Sequence, residues 1–324
     1  MSLKEIRIPI LHELEEVENE FQKILQSDVE LITNVVHHVT SAKGKRIRPI
    51  ILLLSSGMIG EITHQSIQAA TIIELLHTAT LIHDDVVDDS DMRRGAPSVN
   101  NIWNNKISVL LGDYMFSSVL FCMSKLNNPD ITHVLVDVAR KMSKGELLQL
   151  QYGKNYQMEE STYFQLIRNK TASLLAASCE LGAVTSRNED TKNYENLRKF
   201  GEYLGIAFQI KDDLLDLTGK ETEIGKPVAK DLIGNTMTLP ILYGLRNTSM
   251  KNREYLISLM NNGLNIKDVE LLKNFVREVG GIDYAVKKAD HYITEAYKCL
   301  ERYEDSKYKQ SLVQLSQFIL HREN

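Results

Sequence analysis

The sequence contains few of the residues that interrupt helices or cross-link chains, with 6 prolines, 17 glycines and 3 cysteines among 324 residues. Three cysteines are too few for a disulfide framework and lack the paired spacing of metal ligands, which indicates a reduced, intracellular protein. Segments that alternate apolar and polar residues are scarce, and this argues against a β-rich fold. The three cysteines are Cys122, Cys179 and Cys299.

Long apolar runs and an excess of positive charge are also missing. The first residues, Met1–Glu5, contain no apolar signal core, and the longest apolar stretch, Ile50–Leu54, is far shorter than a bilayer-spanning helix. The net charge is −5, so we do not expect a nucleic-acid partner. These features predict a cytoplasmic protein.

Apolar residues recur at spacings of three and four along most of the chain, which predicts an all-α fold. No linker or repeated unit divides the sequence, so we expect one domain over residues 1–324. Residues 218–236 form a polar segment with three glycines, typical of a loop over a functional site. The predicted helices are 12–26, 49–59, 64–88, 107–125, 130–151, 160–184, 191–216, 237–246, 251–261, 267–278, 281–303 and 306–321.

The predicted helix 64–88 ends in a cluster of acids that begins with Asp84, Asp85 and Asp88. Asp84 and Asp88 lie four residues apart, so they share one helix face and repel each other. Acids at this end also oppose the helix dipole. A hard divalent cation would relieve both effects. Arg93 and Arg94 follow, and their guanidinium groups suit phosphate oxygens.

A second cluster, Asp212, Asp213 and Asp216, repeats this spacing on the predicted helix 191–216. One such motif is weak evidence, whereas two on separate buried helices are a specific signal. Mg²⁺ usually takes one or two protein carboxylates and completes its octahedron with water and substrate phosphate. The two clusters therefore predict a metal-dependent site for a diphosphate substrate.

The segment Gly44–Pro49 places three cations, Lys45, Arg46 and Arg48, in a predicted turn. Alone it would be an ordinary basic loop, but beside two acidic motifs it predicts an anion site. His77 precedes Asp84 by seven residues and lies about 20° from it on a helical wheel. His77 therefore faces the acidic stripe. A lone histidine on an apolar helix is more often a core residue, but its position beside the acids favours a functional role here.

These motifs, with Lys170-Thr171-Ala172, Gln209 and Gly225-Lys226-Pro227, resemble the trans-isoprenyl diphosphate synthases of the long-chain polyprenyl type. The resemblance covers residues 41–240 and continues more weakly to the C-terminus. It implies an isoprenoid-synthase-like bundle of about ten or more helices around a central cavity. It also implies condensation of an allylic diphosphate, farnesyl or geranylgeranyl, with successive isopentenyl diphosphates. The product would be an all-trans polyprenyl diphosphate, for example the precursor of a quinone side chain.

The resemblance also implies roles for individual residues. Mg²⁺, about three ions per site and replaceable by Mn²⁺, would bind the carboxylates of the two motifs. Isopentenyl diphosphate would contact Lys45, Arg48, His77 and Arg94. The allylic substrate would contact Arg93, Lys170, Thr171, Gln209 and Lys226. The residues expected to act in catalysis are Asp84, Asp85, Asp88, Arg93, Lys170, Gln209, Asp212 and Lys226, and the metal ligands are Asp84, Asp85, Asp88, Asp212, Asp213 and Asp216.

The family is typically homodimeric, although some long-chain members pair a catalytic subunit with a non-catalytic one. The complete aspartate motifs argue that this chain is the catalytic kind. Release of a long product implies peripheral membrane contact. Many relatives carry a lysine where this chain has Thr236, so one phosphate contact is absent or is made by Lys230.

Product length is expected to depend on Ala79 and Thr80, which stand where short-chain relatives carry bulky aromatics. Both are small here, which predicts a product of roughly six to eight isoprene units. Thr80 lies near the Asp84 face of the helical wheel, whereas Ala79 points away from it. Met123 is a weaker candidate for the far wall of the channel.

Three other interpretations compete. Glu61-x-x-His64 and Glu74-x-x-His77 fit the di-iron signature of ferritin-like bundles, but both pairs fall near one helix and leave the aspartate motifs unexplained. A class I terpene cyclase would share the metals but needs no isopentenyl site. A non-catalytic metal-binding bundle is the third. Residues 219–226 nearly match a P-loop, but their spacing and Pro227 exclude it.

Overall fold

The computed structural model describes residues 2–41, 44–187, 190, 192–218, 230–234 and 236–320, and most of them are helical. Within these ranges the only strands, β1 (Met92–Arg93) and β2 (Ala96–Pro97), form one short hairpin, so the all-α prediction is confirmed. A 3₁₀ turn spans Ile8–Ile10 and a π-helical turn spans Arg168–Ala172. The helices are α1 (Leu3–Ile6), α2 (Leu11–Ile24), α3 (Glu30–Ser41), α4 (Ile47–Ile59), α5 (His64–Val87), α6 (Val99–Ile102), α7 (Asn105–Lys125), α8 (Pro129–Tyr152), α9 (Glu160–Ile167), α10 (Ser173–Thr185), α11 (Lys192–Thr218), α12 (Lys230–Ile233), α13 (Leu239–Arg246), α14 (Met250–Asn261), α15 (Ile266–Glu278), α16 (Gly281–Leu300) and α17 (Lys307–Leu320).

Local chemistry fixes where the long helices begin. The Thr63 side chain caps α5 by accepting a hydrogen bond from the Ser66 amide, and the Ser66 side chain accepts one from the Thr63 amide. The Asn128 side chain caps α8 by accepting hydrogen bonds from the amides of Asp130 and Ile131, and Pro129 fills the first helical position, whose amide would have no partner within the helix. These caps confirm the predicted turn between α7 and α8.

The helix α5 lies inside the bundle, packed by α2, α4, α7 and α10. Its apolar residues occur on all sides rather than along one stripe, as expected for a core helix. Helix α10 is similarly buried and packs on α4 and α11, and α11 in turn packs on α16. The two predicted aspartate motifs therefore lie on α5 and α11, two interior helices linked by α10.

Several sequence predictions need correction. The segment 160–184, predicted as one helix, is α9 and α10 separated by the π-helical turn. Helix α3 and the β1–β2 hairpin were missed. Residues 230–233 form α12 although they fall in the predicted loop 218–236, and residues 219–229 and 235 lie outside the described residues.

Helix α7 is long and apolar enough to span a membrane by length and composition alone. Its inner face, with Leu111, Met115 and Val119 buried, packs on α5. The buried cores of folded bundles meet the same criterion, so this is weak evidence for a membrane span. The outer face is also apolar, and its exposed members are Val109, Leu110, Phe116, Leu120 and Phe121.

Candidate active site

The first aspartate motif lies at the C-terminal end of α5, where the helix dipole opposes negative charge. Asp85 is only 3% exposed, and its Oδ1 accepts hydrogen bonds from Nε of Arg93, at 2.8 Å, and from Nη2. Asp84 is partly buried and Asp88 is exposed. The second aspartate of the motif is thus paired with an arginine inside the protein, while the first and fifth lie nearer solvent.

The β1–β2 hairpin brings the two arginines back towards α4 and α5. Arg94 and Gly95, at the centre of its turn, have φ angles of 54° and 78°, the positive values that a tight primed turn requires. The hairpin directs Arg93 to Asp85 and places the Arg94 guanidinium over Gly44. A Cβ at Gly44 would lie 2.5 Å from Arg94 Nη1, so a larger residue there would displace the Arg94 guanidinium from this position.

The second motif lies in the last turns of α11 and repeats the arrangement. Asp213 is 5% exposed, and its carboxylate accepts hydrogen bonds from the Tyr163 hydroxyl at 2.7 Å and the Gln209 amide at 2.9 Å. Asp212 and Asp216 are partly buried. Gln209 was expected to share the Asp212 face, and in the structure its amide bonds to Asp213.

The π-helical turn connects the two motifs, and π turns often mark functional sites. Lys170 in this turn pairs with Glu146 on α8, with Nζ 2.8 Å from Oε1, and its charge acts on Asp84. The next residue, Thr171, donates a hydrogen bond to Gln209 at 2.7 Å. The turn therefore brings Lys170 and Thr171 between the acids of α5 and those of α11.

Two glycines allow neighbouring helices to approach this turn. A Cβ at Gly145 of α8 would lie 2.5 Å from the Lys170 amide nitrogen. A Cβ at Gly205 of α11 would lie 2.5 Å from the Ala172 Cα atom. Larger residues at either position would push apart the elements that carry Glu146, Lys170 and Gln209.

The carboxylates near Asp84 are not fully neutralised by the protein. Burial, together with repulsion from Glu146 and Asp88, raises the pKa of Asp84 to about 7, although Lys170 and Arg93 oppose the rise. A carboxyl held in this way gains from a bound cation. Among the described residues, no group of three or more acidic, histidine or cysteine side chains could hold a metal alone. The donor set fits Mg²⁺, which completes its coordination with water and phosphate oxygens.

A separate cluster of cations surrounds His77 on α5. His77 is 8% exposed, and burial together with the charges of Arg48 and Arg94 holds its pKa well below the ordinary value. The imidazole is therefore neutral at pH 7. The Arg48 Nε atom is buried without a hydrogen-bond partner, and burial lowers the pKa of Arg48 to about 10. The structure thus brings together Arg48, His77 and Arg94, an arrangement that suits an anionic ligand.

Two other residues that were predicted to contact phosphate are Lys45 and Lys226. The Lys45 ammonium lies over the Phe318 ring of α17, with 5.6 Å between Nζ and the ring centroid. Lys226 lies outside the described residues, and so does the side chain of Lys230. Thr236 is partly buried just before Met237, whose amide donates to the Gly153 carbonyl at 2.8 Å.

The ferritin-like interpretation fails because its two Glu-x-x-His pairs do not converge. Glu61 is an exposed residue that pairs with Arg187, whereas Glu74 is buried and pairs with Arg46. His64 is at the start of α5, far along the helix from His77.

The residues expected to set product length lie on different faces of α5. Ala79 is 1% exposed and shares a face with His83, which packs on Gly112 of α7. Thr80 is partly buried, and its hydroxyl donates to the His77 carbonyl at 2.9 Å. Met123 is buried on the inner side of α7.

A cavity of about 650 Å³ lies between α2, α5 and α7. Its lining includes Gln68, Thr71 and Ile72 of α5 and Tyr114 and Phe121 of α7. At about 1.5 Å per residue, Ile72 is roughly 18 Å from Asp84 along the helix. The cavity is therefore at the depth expected for the far end of a long channel.

Sequence analysis missed three contacts of the site, made by Glu146, Tyr163 and the buried Glu74. Glu146 follows Gly145 on α8, and only the packing against the π turn shows that it reaches Lys170. Tyr163 is 50 positions from the aspartate it contacts, so no local pattern indicates their contact.

Comparisons with known proteins identify the family of this chain. Residues 29–279 match the family model described as "Polyprenyl synthetase". The chain is 34% identical to heptaprenyl diphosphate synthase component 2 of Bacillus subtilis over 308 residues, which cover 95% of this chain and 87% of that protein. It is also 34% identical to the all-trans-nonaprenyl-diphosphate synthase (geranyl-diphosphate specific) of Rhodobacter capsulatus, over 98% of each chain.

The fold matches solved structures equally well. A polyprenyl synthase from Caulobacter crescentus, solved with calcium and isoprenyl diphosphate, superposes with a TM-score of 0.93 at 29% identity. The match covers 100% of this chain and 98% of that one. Fold, paired aspartate motifs and relatives together define an all-helical prenyltransferase. The chain belongs to the polyprenyl synthetase family.

Proposed function

We propose that this chain condenses an allylic diphosphate with successive isopentenyl diphosphates to make a long-chain all-trans polyprenyl diphosphate. The observation that carries the proposal is the presence of two distinct sites for a diphosphate along α5. One lies at Asp84 and Asp88, where a metal–diphosphate complex suits the carboxylates. The other lies at Arg48, His77 and Arg94, which can bind a second diphosphate directly.

The first and fifth aspartates of each motif are the proposed metal ligands. They are Asp84, Asp88, Asp212 and Asp216, and bound Mg²⁺ or Mn²⁺ would supply Lewis-acid stabilisation of the leaving diphosphate. Asp85 and Asp213 are the buried members of the two motifs, at 3% and 5% exposure, and they contact Arg93 and Gln209, so we assign them to orienting these two residues rather than to direct metal binding. This assignment reduces the six metal ligands expected from the sequence to four.

The remaining residues bind, orient and shield. Arg93 and Lys170 lie beside Asp84, where they can contact the oxygens of the allylic diphosphate as it leaves. The neutral His77 and the arginines near it hold isopentenyl diphosphate so that its double bond faces the allylic carbon. The proton lost after bond formation passes to the released diphosphate, and the apolar walls of α5 and α10 exclude water from the cation.

A test of the reaction class is the substrate dependence of diphosphate release. We expect release in the presence of Mg²⁺ only when farnesyl diphosphate and isopentenyl diphosphate are both supplied. A terpene cyclase would instead release diphosphate from the allylic substrate alone. Release from farnesyl diphosphate alone at the full rate would therefore overturn the proposal.

Alanine variants of the basic residues should separate the two substrates. Lys45→Ala and Arg48→Ala are expected to raise KM for isopentenyl diphosphate by about 10- to 100-fold, because each removes a charge-assisted contact of roughly 1.5–3 kcal/mol. Arg93→Ala should act mainly on KM for the allylic substrate. Steady-state kinetics with each substrate varied in turn would check this, and equal effects of all three variants on both substrates would contradict the division.

We also propose that the outer face of α7 is covered by a second copy of the chain. Its large apolar side chains, such as Leu110 and Leu120 at 57% and 51% exposure, would be unfavourable in water. In a homodimer with one two-fold axis, this face of each copy packs against the same face of the other, so both are buried. The word "component" in the name of the Bacillus subtilis relative makes a second, different subunit the competing outcome.

The dimer can be tested by charge substitution on this face. Phe116→Glu and Leu120→Glu are expected to convert the dimer to a monomer, measured as molar mass by light scattering after size exclusion. Met250→Glu, at another exposed apolar residue, is the control and should leave the mass unchanged. A wild-type protein that runs as a monomer would refute the homodimer.

The proposed setting is the cytoplasm, with peripheral contact at a membrane when the long apolar product leaves. Both statements rest on the water-soluble substrates and the apolar product of the proposed reaction.

A further inference from the structure

Glu74 is a buried carboxylate in the middle of α5, three residues before His77, and it is 2% exposed. Its Oε1 accepts a hydrogen bond from Arg46 Nη1 at 2.8 Å, whereas Oε2 is buried with no hydrogen-bond partner. A buried charge persists only where other charges compensate it. Here the compensation comes from Arg46, Arg48 and Arg94, all three of which feel the charge of Glu74.

Arg46 is held on two sides by carboxylates of different helices. Its second nitrogen, Nη2, lies 2.9 Å from Oε2 of Glu18 on α2, and the group lies over the Phe21 ring at 5.0 Å. Both ends of the guanidinium therefore contact protein groups. Arg46 serves as an anchor between α2 and α5 rather than as an open ligand for an anion.

The backbone at Arg46 also depends on this anchor. Arg46 has a φ of 52°, a left-handed conformation, at the residue that precedes the first turn of α4. Such a conformation is unfavourable for a non-glycine residue and persists where the surroundings enforce it. On the preceding residue, the Lys45 carbonyl accepts a hydrogen bond from Arg7 Nη2. The orientations of the Lys45 and Arg48 side chains thus depend on a backbone segment that is held by groups outside the substrate pocket.

We propose that Glu74 is a positioning residue for isopentenyl diphosphate, which acts by anchoring Arg46 and so fixing the backbone between Lys45 and Arg48 at the start of α4. The inference rests on the proposed assignment of Lys45 and Arg48 to that substrate. Glu74 makes no contact with substrate in this role. Its second oxygen adds a negative charge that keeps the surrounding arginines together before the diphosphate arrives.

The central test is the variant Glu74→Gln, which keeps the shape of the side chain and removes the charge. We expect KM for isopentenyl diphosphate to rise about tenfold, because fewer molecules present the arginines in the binding arrangement. KM for the allylic diphosphate and kcat at saturation of both substrates should stay within about twofold of wild type. A purely structural role would lower the active fraction, and with it kcat, without this difference between the two KM values.

Two further variants show whether the effect passes through Arg46. Arg46→Met should raise KM for isopentenyl diphosphate to a similar extent, and adding Glu74→Gln to it should change KM little further. Arg46→Lys keeps the charge but not the two-sided contact, so it should give an intermediate KM. Glu180→Gln, a partly buried glutamate on α10 in a cavity with Arg198, is the control and should leave both KM values unchanged.

The outcomes separate this inference from the proposed function. If Lys45→Ala and Arg48→Ala raise KM for isopentenyl diphosphate while Glu74→Gln does not, the positioning role is wrong and the substrate assignment stands. If Lys45→Ala and Arg48→Ala also leave that KM unchanged, the assignment itself is wrong. If Glu74→Gln does not fold, Arg46→Met carries the test, and a wild-type KM in that variant overturns the positioning role.

Discussion

Replacing Asp84 or Asp212 by asparagine should reduce kcat by roughly 10³-fold or more, because Lewis-acid stabilisation of a leaving diphosphate is worth several kcal/mol. Each residue is the first aspartate of its motif and lies nearer solvent than its neighbour. The variants should stay folded, since Asp84 is destabilised by burial and by repulsion from Glu146 and Asp88. Turnover would be measured over a range of Mg²⁺ concentrations, with circular dichroism to confirm folding.

Asp85→Asn is the informative comparison because Asp85 is adjacent in sequence but faces Arg93. We expect it to raise KM for the allylic diphosphate while the Mg²⁺ concentration needed for half-maximal activity changes little. Wild-type turnover by Asp84→Asn at saturating substrate, with unchanged metal dependence, would contradict the ligand assignment. An Asp85→Asn variant that needs far more Mg²⁺ would contradict the distinction between the two aspartates.

The second large effect is expected on product length. Thr80→Phe should shift the products from roughly six to eight isoprene units to about three or four, because an aromatic ring on the Asp84 face blocks the growing chain. The diphosphate sites are untouched, so the first condensation should proceed normally. Ala79→Tyr should also shorten the product, and it should cost about 1–3 kcal/mol of stability by overpacking the buried surroundings of Ala79.

Thr80→Val is the matched control, because it keeps the branched shape and removes only a hydroxyl that bonds within its own helix. It should make products of wild-type length. Chromatography of the dephosphorylated products would measure all three variants. If Thr80→Phe and Ala79→Tyr both fold, remain active and make wild-type lengths, the channel does not pass this face of α5.

The sequence predicted the fold class and the two motifs because both depend on local patterns. The spacing of apolar residues gave the long helices, and the four-residue spacing of Asp84 and Asp88 gave the acidic face at the end of α5. Helix boundaries were accurate where a cap is written in the sequence, as at Asn128 and Pro129.

Features that depend on tertiary contacts could not be predicted in this way. Asp84 and Asp85 are chemically identical in the sequence, and only the folded structure shows that Asp85 is the buried one and is paired with Arg93. The π turn at Lys170 arises where α8 and α11 pack against it, and helical periodicity predicted an uninterrupted helix there. Glu74 matched an iron-binding signature, and only its buried contact with Arg46 shows a different role.

The central claim is most directly tested by incubating the purified chain with Mg²⁺, farnesyl diphosphate and radiolabelled isopentenyl diphosphate, followed by chromatography of the dephosphorylated products. We expect a ladder of labelled all-trans polyprenols that ends at roughly six to eight isoprene units. A reaction without Mg²⁺ should give none of them. Cyclic unlabelled products, or no incorporation of label with both substrates and metal present, would contradict the assignment of this chain as a long-chain prenyl synthase.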